Sequence, residues 1–305
     1  MKIGIVPDVH GCPEWKAIKN FNCDKIVFLG DYFDNWELGF RGMKAAENFE
    51  EICAFVREDP ENRKLLIGNH DYDNYLLRGR CSGFQSYYYA TYKDLLLKNM
   101  DILDVVCEID GYVFSHAGVS YAWMNLVNRF CEEKAEVFDL PIEEWNKKTD
   151  IEKINHIFHL GFSDLDHDTS SFFSFEDRDP SGFGESIFQT PLWIRPSSLL
   201  GSAWFKKQVV GHTEYCLDDF VALKGESADF LLLTDSFDHK VFGVLDTENP
   251  PKTISSEEFH DFRRSVLLKL EKIKSLNLNK KEAIEEIASE FGKEKAERYY
   301  ELISN

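Results

Sequence analysis

The chain has 305 residues, with 35 Lys and Arg against 54 Asp and Glu, a formal net charge of -19. That balance argues against a surface built to grip nucleic acid or an anionic membrane, since both need clustered Lys and Arg. An anionic substrate would need positive charge concentrated locally, and metal ions are a compact means of doing so.

The 43% hydrophobic and 29% charged composition is that of an ordinary soluble globular protein, with room for one large domain or two small ones. In chain order, MKIGIVPDVH carries too short an apolar run for a signal peptide, and no later run is long enough to span a bilayer. The seven cysteines are scattered without a C-x-x-C pair, as expected of reduced thiols in a cytoplasm. The expectation is a cytosolic protein.

Short apolar or β-branched runs predict strands at Lys2–Val6, Lys25–Leu29, Lys64–Ile67, Tyr112–Phe114, Gln208–Val210, Phe230–Leu233 and Val241–Leu245. Between them, Met43–Val56 places Ala46, Phe49, Ile52, Cys53 and Val56 on one helical face, and Tyr88–Leu97 resembles it. Strands alternating with helices predict an α/β fold. From 120 to 205 the pattern changes to an insertion. Trp123, Leu126, Val127 and Phe130 have helical spacing, Pro141 opens a second helix, and Ile151, Ile154 and Phe158 mark a third. The stretch SSFFSFEDRDPSGFGESIF (170–188) reads either as a lid over substrate or as a hydrophobic plug. ENPPKTISS (248–256) reads as a linker, dividing a main domain at 1–247 from a helical appendage at 255–305. In that appendage Phe259, Phe262, Val266, Leu270 and Ile273 form an amphipathic stripe. Asn279 with Glu282 makes a helix-opening cap, and Gly292 ends that helix.

The residues just past the strands carry the chemistry. Asp8-Val9-His10-Gly11, Asp31-Tyr32-Phe33-Asp34, Asn69-His70-Asp71, His116-Ala117-Gly118 and His212-Thr213-Glu214 each succeed a predicted strand. In open α/β sheets ligands bind outside the carboxyl ends of the strands, so these endings should share one rim. Carboxylate, imidazole and a lone amide oxygen together suit Mn, Fe, Zn or Co better than Ca or Mg alone. Asp8 and His10, two apart, would point the same way along an extended segment. Two metals sharing a carboxylate can clamp the attacking and leaving oxygens of a phosphoryl group.

The five motifs, DVHG (8–11), GDYFD (30–34), GNHD (68–71), SHAG (115–118) and VVGHT (209–213), resemble those of the calcineurin-like metallophosphoesterase superfamily, from Asp8 to about Asp246. The resemblance implies a two-sheet β-sandwich flanked by helices and a site holding two divalent metals, Mn first, with Fe, Zn, Co or Ni as alternatives. It implies Asp8 and His10 on the first metal, Asp31 bridging, and Asn69, His116 and His212 completing the second. His70 would be the general acid, oriented by Asp34, while a metal-bridging hydroxide attacks phosphorus.

Glu214 stands where many members have a further histidine. Together with PLWIRP (191–196), this resembles the serine/threonine phosphoprotein phosphatase and symmetrical diadenosine-tetraphosphatase branch, whose Trp-x-Arg arginine binds phosphate; here that is Arg195. Two positions depart from the pattern: Pro7 replaces a glycine, and Asn35 replaces an arginine that would form half of the phosphate clamp. Arg41 and Arg80 are candidates to restore the lost cation. The implied substrate is a phosphorylated protein or small molecule. A dinucleoside polyphosphate, cyclic-nucleotide or other phosphodiester hydrolase is the alternative, and a catalytically silent metal-binding regulator a third.

Other groupings carry less. His156 and His159 share a helical face without an acidic partner and read as solvent-exposed. Asp164, Asp166 and Asp168 imitate a calcium loop, but Thr169 stands in place of the glycine and Phe175 in place of the closing glutamate. Asp71 and Asp235 read as supporting or turn residues.

Overall fold

The structure, a computed structural model, describes residues 1–35, 41–77, 81–133, 141–163, 172–173, 185–214, 220–235, 242–293, 296 and 299–300. In the first sheet β1 (Lys2–Val6), β2 (Lys25–Phe28), β3 (Arg63–Leu66) and β4 (Leu103–Asp104) run parallel, and β10 (Gly243–Asp246) lies antiparallel outside β1. The second sheet has the order β11 (Ile254–Ser255), β8 (Val221–Lys224), β9 (Phe230–Leu233), β7 (Lys207–Val210), β6 (Tyr112–Ser115), β5 (Val106–Ile109). Within it β6, β7 and β9 are parallel.

Alternation along the strands builds the layers. Ile3, Ile5, Val27, Leu29 and Leu66 of the first sheet meet Phe114, Val209, Phe230 and Leu232 of the second. The opposite faces are apolar too: Val6, Ile26, Phe28 and Leu65 lie under helices α1 (Met43–Glu58) and α2 (Tyr89–Lys98). Val210, Leu231 and Leu233 lie under the short α6 (Pro196–Ser202) and Phe259. This is the expected helix–sheet–sheet–helix sandwich, and burial on both faces explains why its strands read as continuous apolar runs.

The insertion supplies α3 (Tyr121–Glu133), α4 (Ile142–Trp145) and α5 (Asp150–Ser163). Trp123, Val127, Ile154 and Phe158 join the core beneath the first sheet, and Phe173 is fully buried with them. Residue 173 is therefore a plug; most of the 170–188 stretch, and all of the 164–169 pseudo-loop, lies outside the described residues. His156 and His159 are half-buried rather than solvent-exposed, and His159 pairs with Asp104 through Nε2 at 3.1 Å.

Four strands escaped the sequence: β4, β5, β8 and β11. β4 and β11 have only two residues each, too few for a period. β11 lies at the end of the expected linker, where Ile254 and Ser255 pair with β8, while residues 248–253 form no strand. Beyond it, α7 (Ser256–Ser275) and α8 (Lys280–Phe291) pack through Val266, Leu270, Ile273, Ala283 and Ile287. The Asn279–Glu282 cap forms as expected. Phe262 departs from the stripe and is 53% exposed, because Phe259 turns to the sheet and the later residues turn to α8.

Candidate active site

Parallel strands deliver their carboxyl ends to one edge, and the five motifs succeed β1, β2, β3, β6 and β7 there. The His116 imidazole Nδ1 lies 3.0 Å from Leu29 O, and the His212 N–H donates to Asp8 Oδ1 at 2.9 Å. Both contacts cross from the second sheet to the first. One donor atom each from Asp8, Asp31 and His116 lie within 4.8 Å of one another, a candidate metal site. Asn69 Oδ1 sits 2.7 Å from His116 Nε2 and 3.0 Å from His212 Nδ1. His10 comes from the other side, its Nε2 at 4.0 Å from Asp31 Oδ2. All six expected ligands thus share one rim.

The backbone reaches this convergence by turning. His10, Asp31, Asp34 and His212 all have φ between 43° and 65°, four of the six non-glycine residues with positive φ among the described residues. Such conformations cost free energy and persist where the surroundings over-determine them, characteristically at functional sites. The backbone therefore turns at His10, so the segment is not extended through its last residue as expected. His10 approaches Asp31 because its backbone reverses, with its Nδ1 held on Phe33 O at 2.8 Å. Gly30, at φ 116°, and Gly68 let two loops touch: a Cβ on either would collide, with the Gly68 backbone in one case and with Asp31 Oδ1 in the other.

The electrostatics fit a bound cation. Asp31 is held well above the usual carboxylate range by burial and by Asp8 and Asp71, and Asp71 is pushed up to about 7 by burial. Burial pushes His10 down to about 4, and lowers His116 and His212 as well. A neutral His116 has one N–H, yet Leu29 O and Asn69 Oδ1, both acceptors, face its two nitrogens. The His212 ring is buried as well, with Nδ1 facing Asn69 Oδ1 and the Trp193 backbone beside it. Among the described residues no Lys or Arg forms an ion pair with Asp8, Asp31, Asp34 or Asp71. Buried carboxylates and imidazole nitrogens thus converge with the Arg195 charge acting on Asp8 but with no ion pair to it, a donor set that suits a divalent metal.

The remaining expected residues surround this cluster. His70 Nδ1 lies 3.3 Å from Asp34 Oδ2, and its backbone N–H donates to Asp31 Oδ1 at 2.9 Å. Asp71 supports the loops, accepting from the Tyr32 and Gly68 N–H groups at 2.8 and 3.1 Å. Arg195, at the N-terminal end of α6, donates from Nη1 to Thr213 Oγ1 at 3.1 Å, and its charge acts on both His116 and His212. Asn35 turns its amide inward, donating to His10 O at 2.6 Å, and its own carbonyl accepts from Arg41 Nε. Arg80 lies outside the described residues.

Sequence reasoning named Trp193 only as part of the Trp-x-Arg motif; its Nε1 donates to Asp73 Oδ2 at 2.6 Å while its ring stands edge-on to His212. The same reasoning missed Asn74 and Tyr75, both hydrogen-bonded to Asp34.

A model of the calcineurin-like phosphoesterase family matches residues 1–187, more than half of the 305. The chain belongs to that family. It is accordingly a phosphoester hydrolase, of a family that uses divalent metals. No curated protein matches the chain. Among solved structures it is similar to a protein serine/threonine phosphatase from Saccharomyces cerevisiae, at 17% identity over 77% of this chain and 67% of that one, TM-score 0.43. It is also similar to a cold-active protein-tyrosine phosphatase of a Shewanella species, at 16% identity over 81% and 75%, TM-score 0.45. A metallophosphoesterase from Sphaerobacter thermophilus is 15% identical over 81% and 84%, TM-score 0.36. Among the described residues no helix is long and apolar enough to cross a membrane.

Proposed function

We propose that this phosphoesterase hydrolyses phosphomonoesters, with phosphoserine and phosphothreonine side chains as the substrate class, at a site for two divalent ions. The observation that carries the reading is the buried His70–Asp34 pair standing beside the Asp8–Asp31–His116 cluster. Asp8, His10 and Asp31 would hold one ion, and Asp31, Asn69, His116 and His212 the other. When bound, the ions supply Lewis acidity, neutralising phosphoryl charge and acidifying water.

The chain's own residues do the rest. Water provides the new oxygen on phosphorus, the bond from phosphorus to the ester oxygen breaks, and that oxygen needs a proton. Asp34 faces Nδ1 of His70, so the opposite nitrogen, Nε2, is the one that gives the proton, and solvent later restores it. Arg195 brings a forked donor to the phosphoryl oxygens.

Asn35 favours a second reading, hydrolysis of diesters or phosphoanhydrides. A monoester dianion calls for two charged donors, and Asn35 offers a neutral amide already turned onto His10 O. Rates for a phosphopeptide, a dinucleoside tetraphosphate, a cyclic nucleotide and an aryl diester, each with wild type and Arg195→Ala, separate the two. Loss of a charge-assisted bond predicts a fall of about ten- to hundredfold in monoester kcat/KM, with a smaller fall for diesters. An equal fall for both classes makes Arg195 structural and removes support for the monoester reading.

A further inference from the structure

Asp34, Asn74 and Tyr75 are all fully buried. Tyr75 OH donates to Asp34 Oδ1, and the Asn74 amide donates to Oδ2, the oxygen that faces His70 Nδ1. These contacts depend on an uncommon backbone. Residues His70–Leu76 form a wide π turn, in which the Leu77 N–H reaches back five residues to Tyr72 O at 3.0 Å. In an α-helix the fourth residue after His70 would lie about 40° round from it, and the fifth about 140° round, facing away. The wider i→i+5 turn brings both Asn74 and Tyr75 to the carboxylate that His70 faces, and such π segments concentrate at functional sites.

A second element fixes which way these groups point. The Cys81 N–H donates to Asn74 Oδ1 at 2.6 Å, which turns the NH2 of Asn74 to Asp34. The Gln85 N–H donates to Tyr75 OH at 3.3 Å, so the phenol's own proton goes to Asp34. Between them Gly83, at φ 77°, lies so close to Asp34 that an added Cβ would sit 2.8 Å from its backbone oxygen. Gln85 Oε1 in turn accepts the Gly42 N–H at 3.1 Å, at the start of α1. Phe33 stacks on Tyr92 at 4.1 Å, and both rings pack on Tyr75. The loop 81–85 therefore closes over the carboxylate and sets the polarity of both its donors.

We propose that Asn74 and Tyr75, held by the 81–85 loop, are positioning residues that lock Asp34 so that His70 presents its proton to the leaving oxygen. This rests on the reading of His70 as proton donor. The role concerns only the step in which the ester oxygen leaves, so its loss should scale with that oxygen's need for a proton. A merely structural role would lower all substrates alike.

The test compares Tyr75→Phe, Asn74→Ala and His70→Asn with wild type, each loaded with Mn, on phenyl phosphate and on p-nitrophenyl phosphate, whose leaving group needs protonation less. Melting temperatures are taken in parallel. Tyr75→Phe removes one oxygen and keeps the ring's packing; should it not fold, Asn74→Ala decides alone. The expected result is a loss in kcat of about ten- to hundredfold on phenyl phosphate for the positioning variants, several-fold greater than on p-nitrophenyl phosphate. His70→Asn should show the same selectivity more strongly. If His70→Asn is selective and the other two lose equally on both substrates or lose nothing, the positioning role is overturned and the proton-donor reading stands. If His70→Asn itself falls equally on both, the proton-donor reading fails and the positioning role fails with it.

Discussion

Gly68 shows how tightly single residues constrain this rim. It has no side chain because Asp31 Oδ1 occupies the place where one would be, and the same carboxylate oxygen accepts the His70 N–H. Gly68→Ala should displace Asp31 and so disturb both the candidate metal cluster and the proton donor. Overpacking of this kind costs about 1–3 kcal/mol of stability. The expected outcome of a Mn titration followed calorimetrically is a marked weakening of binding, and undiminished affinity would show that Asp31 is not a ligand. At this scale the sequence is informative about identity and silent about conformation. The motif positions do meet on one rim, because parallel strands leave few other places for them. That His10 and Asp31 adopt positive φ is not legible, since neither is a glycine. Asn74 and Tyr75 are invisible for a related reason: their relation to Asp34 exists only if the turn after Asn69 is wide, and local propensity favours no such turn.

Among the elements, the strands with a buried-on-both-faces pattern are legible to within a residue or so at their ends, as Lys2–Val6 and Phe230–Leu233 show. Those least legible, β4 and β11, owe their existence to the neighbour they pair with and not to their own composition. The consequence of β11 for the C-terminal helices is measurable. Phe259, 2% exposed, packs on the outer face of the second sheet just after β11, whereas Phe262 one turn later is 53% exposed. Burial on this scale predicts that Phe259→Ala costs about 3–5 kcal/mol. Phe262→Ala should stay within about 0.5 kcal/mol. Denaturant melts monitored on the helices check both. Equal effects would mean that α7 is anchored by its helix partner alone.

Over the whole molecule, the charge of -19 opposes the approach of any phosphorylated ligand, and the rim must attract it locally. At low salt the repulsion extends over a Debye length of about 30 Å, and at physiological salt over about 8 Å. A phosphopeptide flanked by lysines should therefore have a lower KM than one flanked by glutamates, with a gap that narrows as salt is added. A gap indifferent to salt would place the discrimination in direct contacts instead. The contact between the His212 N–H and Asp8 Oδ1 spans 204 positions of sequence. Ribosomes add roughly 5–20 residues per second, so roughly 10–40 s separate the emergence of these two groups. On the proposed ligand assignment, a nascent chain carries Asp8, His10, Asp31 and Asn69 well before the histidines of the second sheet exist. The second ion's ligand set is then completed only when His212 has been made, whereas Asp8, His10 and Asp31 of the first stand ready near the beginning of synthesis, so the two ions differ in how early in the life of each molecule they can be held.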